Sequence, residues 1–351
     1  MRENQQAKPP LEFLGAPGSP YTRKMLALLR YRRIPHRVFW GGLHSELKNY
    51  PQPKVALLPT FYFPTDEGGR EAMVDSTFIL RRIEREHEGR ASVPDDPALA
   101  FLNYLIEDFA DEWLTKAMFH YRWSYQADID NAGPLLTFWH NPQLADADAA
   151  GFSDFISKRQ IDRLYVVGSN PGTAKAIEAS FERLVLILDK LIAKQGYVLG
   201  ERPSSADFAL YGQLTQLALV DPTPATFLNK TAPRLRAWID RVDDLSGLEV
   251  ATDDWLDLKH AADPLTELLQ EIGRVYLPIM LANAHALTEG AEQFTAEVDS
   301  QEWTQPIFPY QAKCLGWVRE TFAALPDAAR DDIAKLLDEN SCGGLIENAL
   351  T

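Results

Sequence analysis

The stretch Leu11-Glu-Phe-Leu-Gly-Ala-Pro-Gly-Ser-Pro-Tyr-Thr-Arg-Lys-Met-Leu-Ala-Leu-Leu29 decides how this chain is read. Its first apolar residues predict a strand, Gly15-Ala-Pro-Gly18 a tight loop, and the amphipathic run beyond a helix with Ser19-Pro20 at its mouth. Proline suits a first helical turn, where the N–H it lacks has no intrahelical partner. A strand that enters a helix through a tight loop aims backbone N–H groups, and the positive end of the helix dipole, at whatever lies there. A hydroxyl at that point can hydrogen-bond an anion such as a thiolate, and the dipole lowers a thiol's pKa. The segment points to thiol chemistry, although Cys314 and Cys342 both lie far from it.

Bulk properties narrow the class. A chain of 351 residues, 46% hydrophobic and 24% charged, predicts a globular protein of two domains or slightly more. A formal net charge of −15 argues against nucleic acid or an anionic membrane as partner. Two cysteines without Cys-x-x-Cys spacing exclude a disulfide framework and suggest a reducing, cytoplasmic setting. Met1–Pro10 lacks the apolar core of a signal peptide, and no run reaches the roughly 18 apolar residues of a membrane span. The histidines at 36, 44, 87, 120, 140, 260 and 285 form no His-x-x-x-His pattern, so no metal site is expected. Neither a Gly-x-Gly-x-x-Gly nor a phosphate-loop sequence occurs.

The first hundred residues alternate strand and helix: strands at Leu11–Leu14 and Arg37–Trp40, a helix at Arg23–Arg33, and an apolar run Val55–Phe63 broken by Pro59. Gly68-Gly69 predicts a turn before Met73-Val74, and Asp75-Ser76 opens a helix reaching about Glu86. Arg90–Leu99 reads as a linker. Beyond it long helices are expected at Phe101–Tyr125, Thr173–Lys194, Ser205–Leu219 and Pro233–Val242, with 127–150 as a long irregular connection. After 250, Pro264–Leu287 predicts one helix kinked by Pro278, Phe294–Val298 and Trp303–Phe308 a hairpin about Asp299-Ser300, and Tyr310–Phe322 and Ala328–Leu337 two more helices. Cys314, on an amphipathic stretch, is expected in the core.

Pro59 fits an edge strand, or a cis proline that turns the preceding backbone outward. Asp75 and Ser76 fit a helix cap, which alone accounts for both. They also fit a ligand: exposed N–H groups and a hydroxyl hold a carboxylate while Asp75 accepts from an amine, the two ends of an amino acid.

A Ser-Pro-Tyr in the first strand-to-helix turn, a lone proline before the third strand and an acidic-Ser pair opening the next helix resemble the glutathione S-transferase superfamily. Gly200-Glu-Arg-Pro-Ser-Ser-Ala-Asp-Phe208 resembles the family's capping box, with Ser204 as N-cap and Asp207 three residues on. The resemblance covers about residues 11–245. It implies an α/β thioredoxin-like domain over 10–89, an all-α helical bundle over 96–250, and a mixed, mainly helical extension over 251–351. It further implies glutathione as co-substrate: Ser19 stabilising its thiolate, Leu58 beside a cis Pro59 pairing with its cysteinyl backbone, and Asp75 and Ser76 holding its γ-glutamyl group. Tyr21 is the alternative hydroxyl and Thr22 a weaker one. The acidic member of the pair is aspartate where the family commonly has glutamate.

Asp108, Glu112, Lys116 and His120 fall four residues apart and share one helical face. That face is either a solvated ladder of charges or, with Tyr104 and Trp113, the wall of a second-substrate pocket for an apolar electrophile. Gln305–Tyr310 either folds back over the cleft or forms a dimer surface, so a homodimer is carried as an expectation. The expected activity is transfer of the glutathione thiolate to an electrophile. The alternatives are a non-catalytic interaction module and a glutathione-dependent reductase or peroxidase, the latter disfavoured by serine at position 19.

Overall fold

The computed structural model describes residues 9–41, 44–251 and 254–347; the reading of Met1–Pro10 as lacking a signal core falls almost wholly outside them. β1 (Leu11–Gly15) leads through the Ser19 turn into α1 (Pro20–Tyr31) and back to β2 (His36–Trp40), which pairs parallel to β1. β3 (Thr60–Pro64) and β4 (Arg70–Met73) complete an antiparallel half, giving the order β2-β1-β3-β4, and α2 (Ser76–Glu86) follows. Register places the site. Leu14 opposes Thr60 and Phe61 opposes Met73, so the end of β1, the start of β3 and the end of β4 meet at one edge of the sheet. Ser19, Leu58-Pro59 and Asp75-Ser76 leave the sheet from that edge.

The strands form because apolar side chains have somewhere to go. Phe13 and Phe61 stack at 4.5 Å on adjacent strands, and both are fully buried with Phe63. Each such burial is worth about 1.5–3 kcal/mol, more than enough to hold so short a strand in register. The apolar run 55–63 forms strand only from Thr60, since Pro59 has no N–H to give to a ladder; the Leu58–Pro59 bond is cis.

The helical part opens with α3 (Pro97–Phe109), a wider π turn over Ala110–Leu114 and α4 (Thr115–Ser124), where a single helix was expected. The expected irregular connection at 127–150 is instead two antiparallel helices, α5 (Gln126–His140) and α6 (Asp146–Ile161). Alanine-rich composition outweighs the scattered Asp, Asn and Pro there. Gly133 lets the pair close, since a Cβ at that position would meet Ser157 Oγ at 2.5 Å. α7 (Ala174–Gln195) carries the predicted apolar stripe. α8 (Ser205–Thr215) begins with the predicted capping box; the Asp207 carboxylate accepts from the N–H groups of Ser204 and Val198 at 2.8 and 2.9 Å. Gly212 on α8 allows close packing on α1: a side chain there would sit 2.5 Å from the Pro20 carbonyl. α9 (Pro222–Thr231) and α10 (Pro233–Val242) close the bundle.

The extension is part of the same core. α11 (Leu258–Glu271) and α12 (Leu277–Thr288) are separated by a π turn over Ile272–Tyr276. The expected kink at Pro278 is thus absorbed just before it, because the wider turn makes room for a ring that would press on the carbonyl four residues back. β5 (Gln293–Val298) and β6 (Gln301–Pro306) form the predicted hairpin, with Asp299 and Ser300 at φ of 51° and 59°, the twist that suits a two-residue turn. α13 (Pro309–Ala323) and α14 (Asp327–Glu339) then pack on α3, with Phe322 edge-on to Phe101 at 5.7 Å. Buried Leu265, Leu268, Tyr276, Trp303 and Cys314 join one continuous hydrophobic cluster with α3 and α7. No helix among the described residues is long and apolar enough to cross a membrane.

Candidate functional site

Ser19 caps α1. Its Oγ accepts from the Thr22 N–H at 3.2 Å and donates to the Leu58 carbonyl at 3.3 Å, beside the cis Pro59. The loop before it is held from three sides: Arg23 and Gln216 donate to the Pro17 carbonyl at 3.0 and 3.3 Å, and Arg122 to that of Gly18 at 3.1 Å. Arg122 is itself locked to buried Asp221 at 2.9 Å. The Pro17-Gly18 turn therefore presents a fixed hydroxyl at a helix N-terminus.

A second helix mouth opens alongside. Asp75 caps α2 through Thr77 N–H at 3.1 Å and holds φ of 79°, a backbone conformation uncommon outside glycine and costly to keep. Behind Ser76 lies a buried cation. Lys24 Nζ donates to Ser76 Oγ at 3.2 Å and pairs with Glu107 at 2.8 Å and Asp111 at 2.5 Å. With one lone pair of the Ser76 oxygen taken by Lys24, its proton is free to point outward. Burial opposes charge on Lys24, but Asp111 and Glu107 outweigh it and raise its pKa. Burial likewise opposes ionisation of Glu107, and Lys24 and Arg81 overcome it, taking that carboxyl down to about 2.

The remaining expected residues are placed differently. Tyr21 turns away from the mouth and donates to the Asp111 carbonyl at 2.9 Å; burial, then Glu112 and Asp111, push its ionisation far up. Asp108, Glu112, Lys116 and His120 are buried rather than solvated. The π turn rotates the second half of the helix, and the extension seals the face. Trp113 Nε1 donates to Ser180 at 2.8 Å, Lys116 sits 3.4 Å from Gln305 and over the Trp303 ring, and His120 bonds Ser169 and Glu178. Tyr104 lies apart from them, under Arg81. Trp113 and Lys116 thus meet around Trp303, and the four do not gather in one open cleft. Open space lies instead beyond β2, where Trp40, His44, His140, Pro142, Leu144 and Phe152 line a cavity of about 530 Å³. Residues flanking its lining touch the Ser19 loop: Gly41 N–H bonds the Gly15 carbonyl at 2.9 Å, and the Trp139 ring packs on Gly18.

Residues 13–91 match the sequence model of the glutathione S-transferase N-terminal domain, and residues 144–241 that of its C-terminal domain. The chain belongs to the glutathione S-transferase superfamily. No curated protein matches it. Among solved structures it is similar to a glutathione S-transferase of Methylobacterium radiotolerans in complex with glutathione sulfonate, at 16% identity and a TM-score of 0.34 over 71% of this chain and 100% of that one. It is similar to a Burkholderia graminis glutathione transferase with two glutathione molecules per subunit, at 15% identity and 0.41 over 68% and 85%. It is also similar to a Tau class glutathione S-transferase of mango, at 17% and 0.39 over 72% and 96%.

In this transferase-superfamily chain three site features escaped sequence reading. Lys24 shares a helical stripe with Leu28 and Tyr31, an internal placement that a charge normally avoids, and that pattern was the available signal. Trp139 and His140 sit in the stretch read as irregular. Tyr310 reaches Asp75 from the far end of the chain, while Gln305 bonds Val166 and Lys116 of the helical part.

The buried acids make stability depend on pH. Burial, reinforced by neighbouring carboxylates, raises Asp111 to about 6, Asp108 to about 7 and Glu112 to about 8. Such an acid binds more protons folded than unfolded, so unfolding free energy falls as pH rises from the ordinary carboxylate range to the folded value. Glu107 has the opposite sign but acts only below its ordinary value of 4.5. Lys116, lowered to about 8 by burial, acts only above that pH. Urea midpoints should therefore be lower at pH 8 than at pH 5; a flat or rising profile across that window contradicts the assignment.

Proposed function

We propose that this chain binds glutathione at the edge of its N-terminal sheet and transfers the thiolate to an apolar electrophile. The observation that carries the reading is the Ser19 hydroxyl 3.3 Å from the Leu58 carbonyl, between two helix N-termini. An extended peptide laid along Leu58 takes that carbonyl with its own N–H. Ser19 is then released to donate to the sulfur, which sits at the positive end of α1. The γ-glutamyl carboxylate meets the N-terminus of α2 and the outward Ser76 proton, and the amine meets Asp75. The thiol proton passes to solvent, the thiolate forms a carbon–sulfur bond with the electrophilic carbon, and the leaving group departs with its electron pair.

The cavity beside Trp40, His140 and Phe152 supports an aromatic electrophile, since its volume falls within the range of small-molecule sites and residues flanking its lining touch the Ser19 loop. The sealed state of Trp113, Lys116 and His120 favours this cavity over the face they share. Calorimetric titration with glutathione and a conjugation assay with a chlorinated nitroaromatic test the reading. Binding tighter than about 1 mM together with product formation is expected. No heat at ten times that concentration rules out the site, and binding without turnover leaves only a glutathione-binding module.

A further inference from the structure

The C-terminal extension contributes one hydrogen bond to the residue that the proposed function assigns to the ligand's amine. Tyr310, on the first turn of α13, donates its hydroxyl to Asp75 Oδ2 at 2.5 Å. The other Asp75 oxygen is tied to the Thr77 N–H. The hydroxyl is a durable donor, because burial and then the Asp75 charge push its ionisation up. Its position is built rather than incidental. Phe308, just before α13, exchanges two hydrogen bonds with the Asn283 side chain, at 2.9 and 2.7 Å. Gln311 Nε2 donates to the Glu112 carbonyl at 3.1 Å, and Trp317 packs edge-on against Phe78 of α2 at 4.8 Å. α13 is thus fixed on both sides of Tyr310, to α12 before it and to the π turn and α2 after it.

We propose that Tyr310 is a positioning residue for ligand binding: it holds the Asp75 carboxylate in the orientation that receives the ligand's ammonium group, so that the extension completes the γ-glutamyl end of the site. This rests on the reading of Asp75 as the amine's acceptor. A carboxylate oxygen accepts more than one hydrogen bond, so the two existing bonds leave each Asp75 oxygen able to take another. A carboxylate fixed before binding loses less freedom when the ligand arrives.

The test compares glutathione with its desamino analogue, glutaryl-cysteinyl-glycine, on the full chain by calorimetry. Wild type should bind glutathione about 10-fold more tightly than the analogue, and Tyr310→Phe should lose about 10-fold on glutathione alone. The variant keeps the ring contacts, and its kcat at saturating glutathione should stay within about 2-fold of wild type because the thiolate end is untouched. In an Asp75→Asn background the same substitution should change glutathione affinity less than about 2-fold. Equal weakening of both ligands would mean a merely structural role and overturns the proposal. Unchanged or tighter glutathione binding by Tyr310→Phe also overturns it while leaving the function intact. A wild type that does not distinguish the two ligands overturns the Asp75 reading and this proposal together.

Discussion

Lys24→Met should cost about 3–5 kcal/mol of folding free energy, the loss typical of breaking a buried ion pair. Methionine fills nearly the same volume, so the loss isolates charge. Removing the ammonium leaves Glu107 and Asp111 buried, with Arg81 at 3.0 Å the remaining cation on Glu107. The bond to Ser76 disappears as well, and with it the orientation of the α2 mouth, so glutathione affinity should fall. Urea denaturation at two pH values measures the effect. The loss should shrink at pH 5, where a stranded Asp111, already raised to about 6, takes up a proton. Adding Glu107→Gln and Asp111→Asn should restore most of the stability, since a neutral buried network carries no uncompensated charge. A loss below about 1 kcal/mol would show that the cluster is hydrated and the cation dispensable.

Ser19→Ala should lower kcat/KM for conjugation by about 10²–10³-fold, the usual effect of removing one aimed donor from an anionic centre. Two contributions separate here. Loss of the N-cap costs about 1 kcal/mol of stability, whereas loss of the donor shifts the bound thiol's pKa back toward about 8.5. The pH–rate profile reads the second alone, and Ser19→Thr, which keeps the hydroxyl, should retain most of the wild-type profile. An unshifted profile in Ser19→Ala would remove Ser19 from the mechanism. Tyr21 is poorly placed to replace it, because its proton is held by the Asp111 carbonyl.

Much of this molecule is local code. The strand, loop and helix of 11–31, the cap at Asp75, the box at Ser204 and Asp207, and the Asp299-Ser300 turn each depend on residues within a few positions of one another. Where local signals misled, a competing local term or a distant partner was responsible. Helix-forming alanines and a glycine seam turned 127–150 into α5 and α6. Neither reading of the face from Asp108 to His120, solvated ladder or pocket wall, anticipated its burial, because the partners of Asp108, Glu112 and Lys116, namely Tyr276, Gln311 and Gln305, lie some 170–200 residues away. The same distance hid Tyr310 from any reading of Asp75.

The sequence by itself determined the order of elements in the N-terminal domain, the family and the residues at the two helix mouths, because caps, turns and hydrophobic period act over a single turn of chain. Tertiary structure alone decided which polar groups are buried together. It placed Lys24 behind Ser76, sealed the helical face under the hairpin and α13, and left the open cavity beside Trp40 and His140. The physical reason is that burying a charge requires a partner and excluded water, and both come from segments remote in the chain.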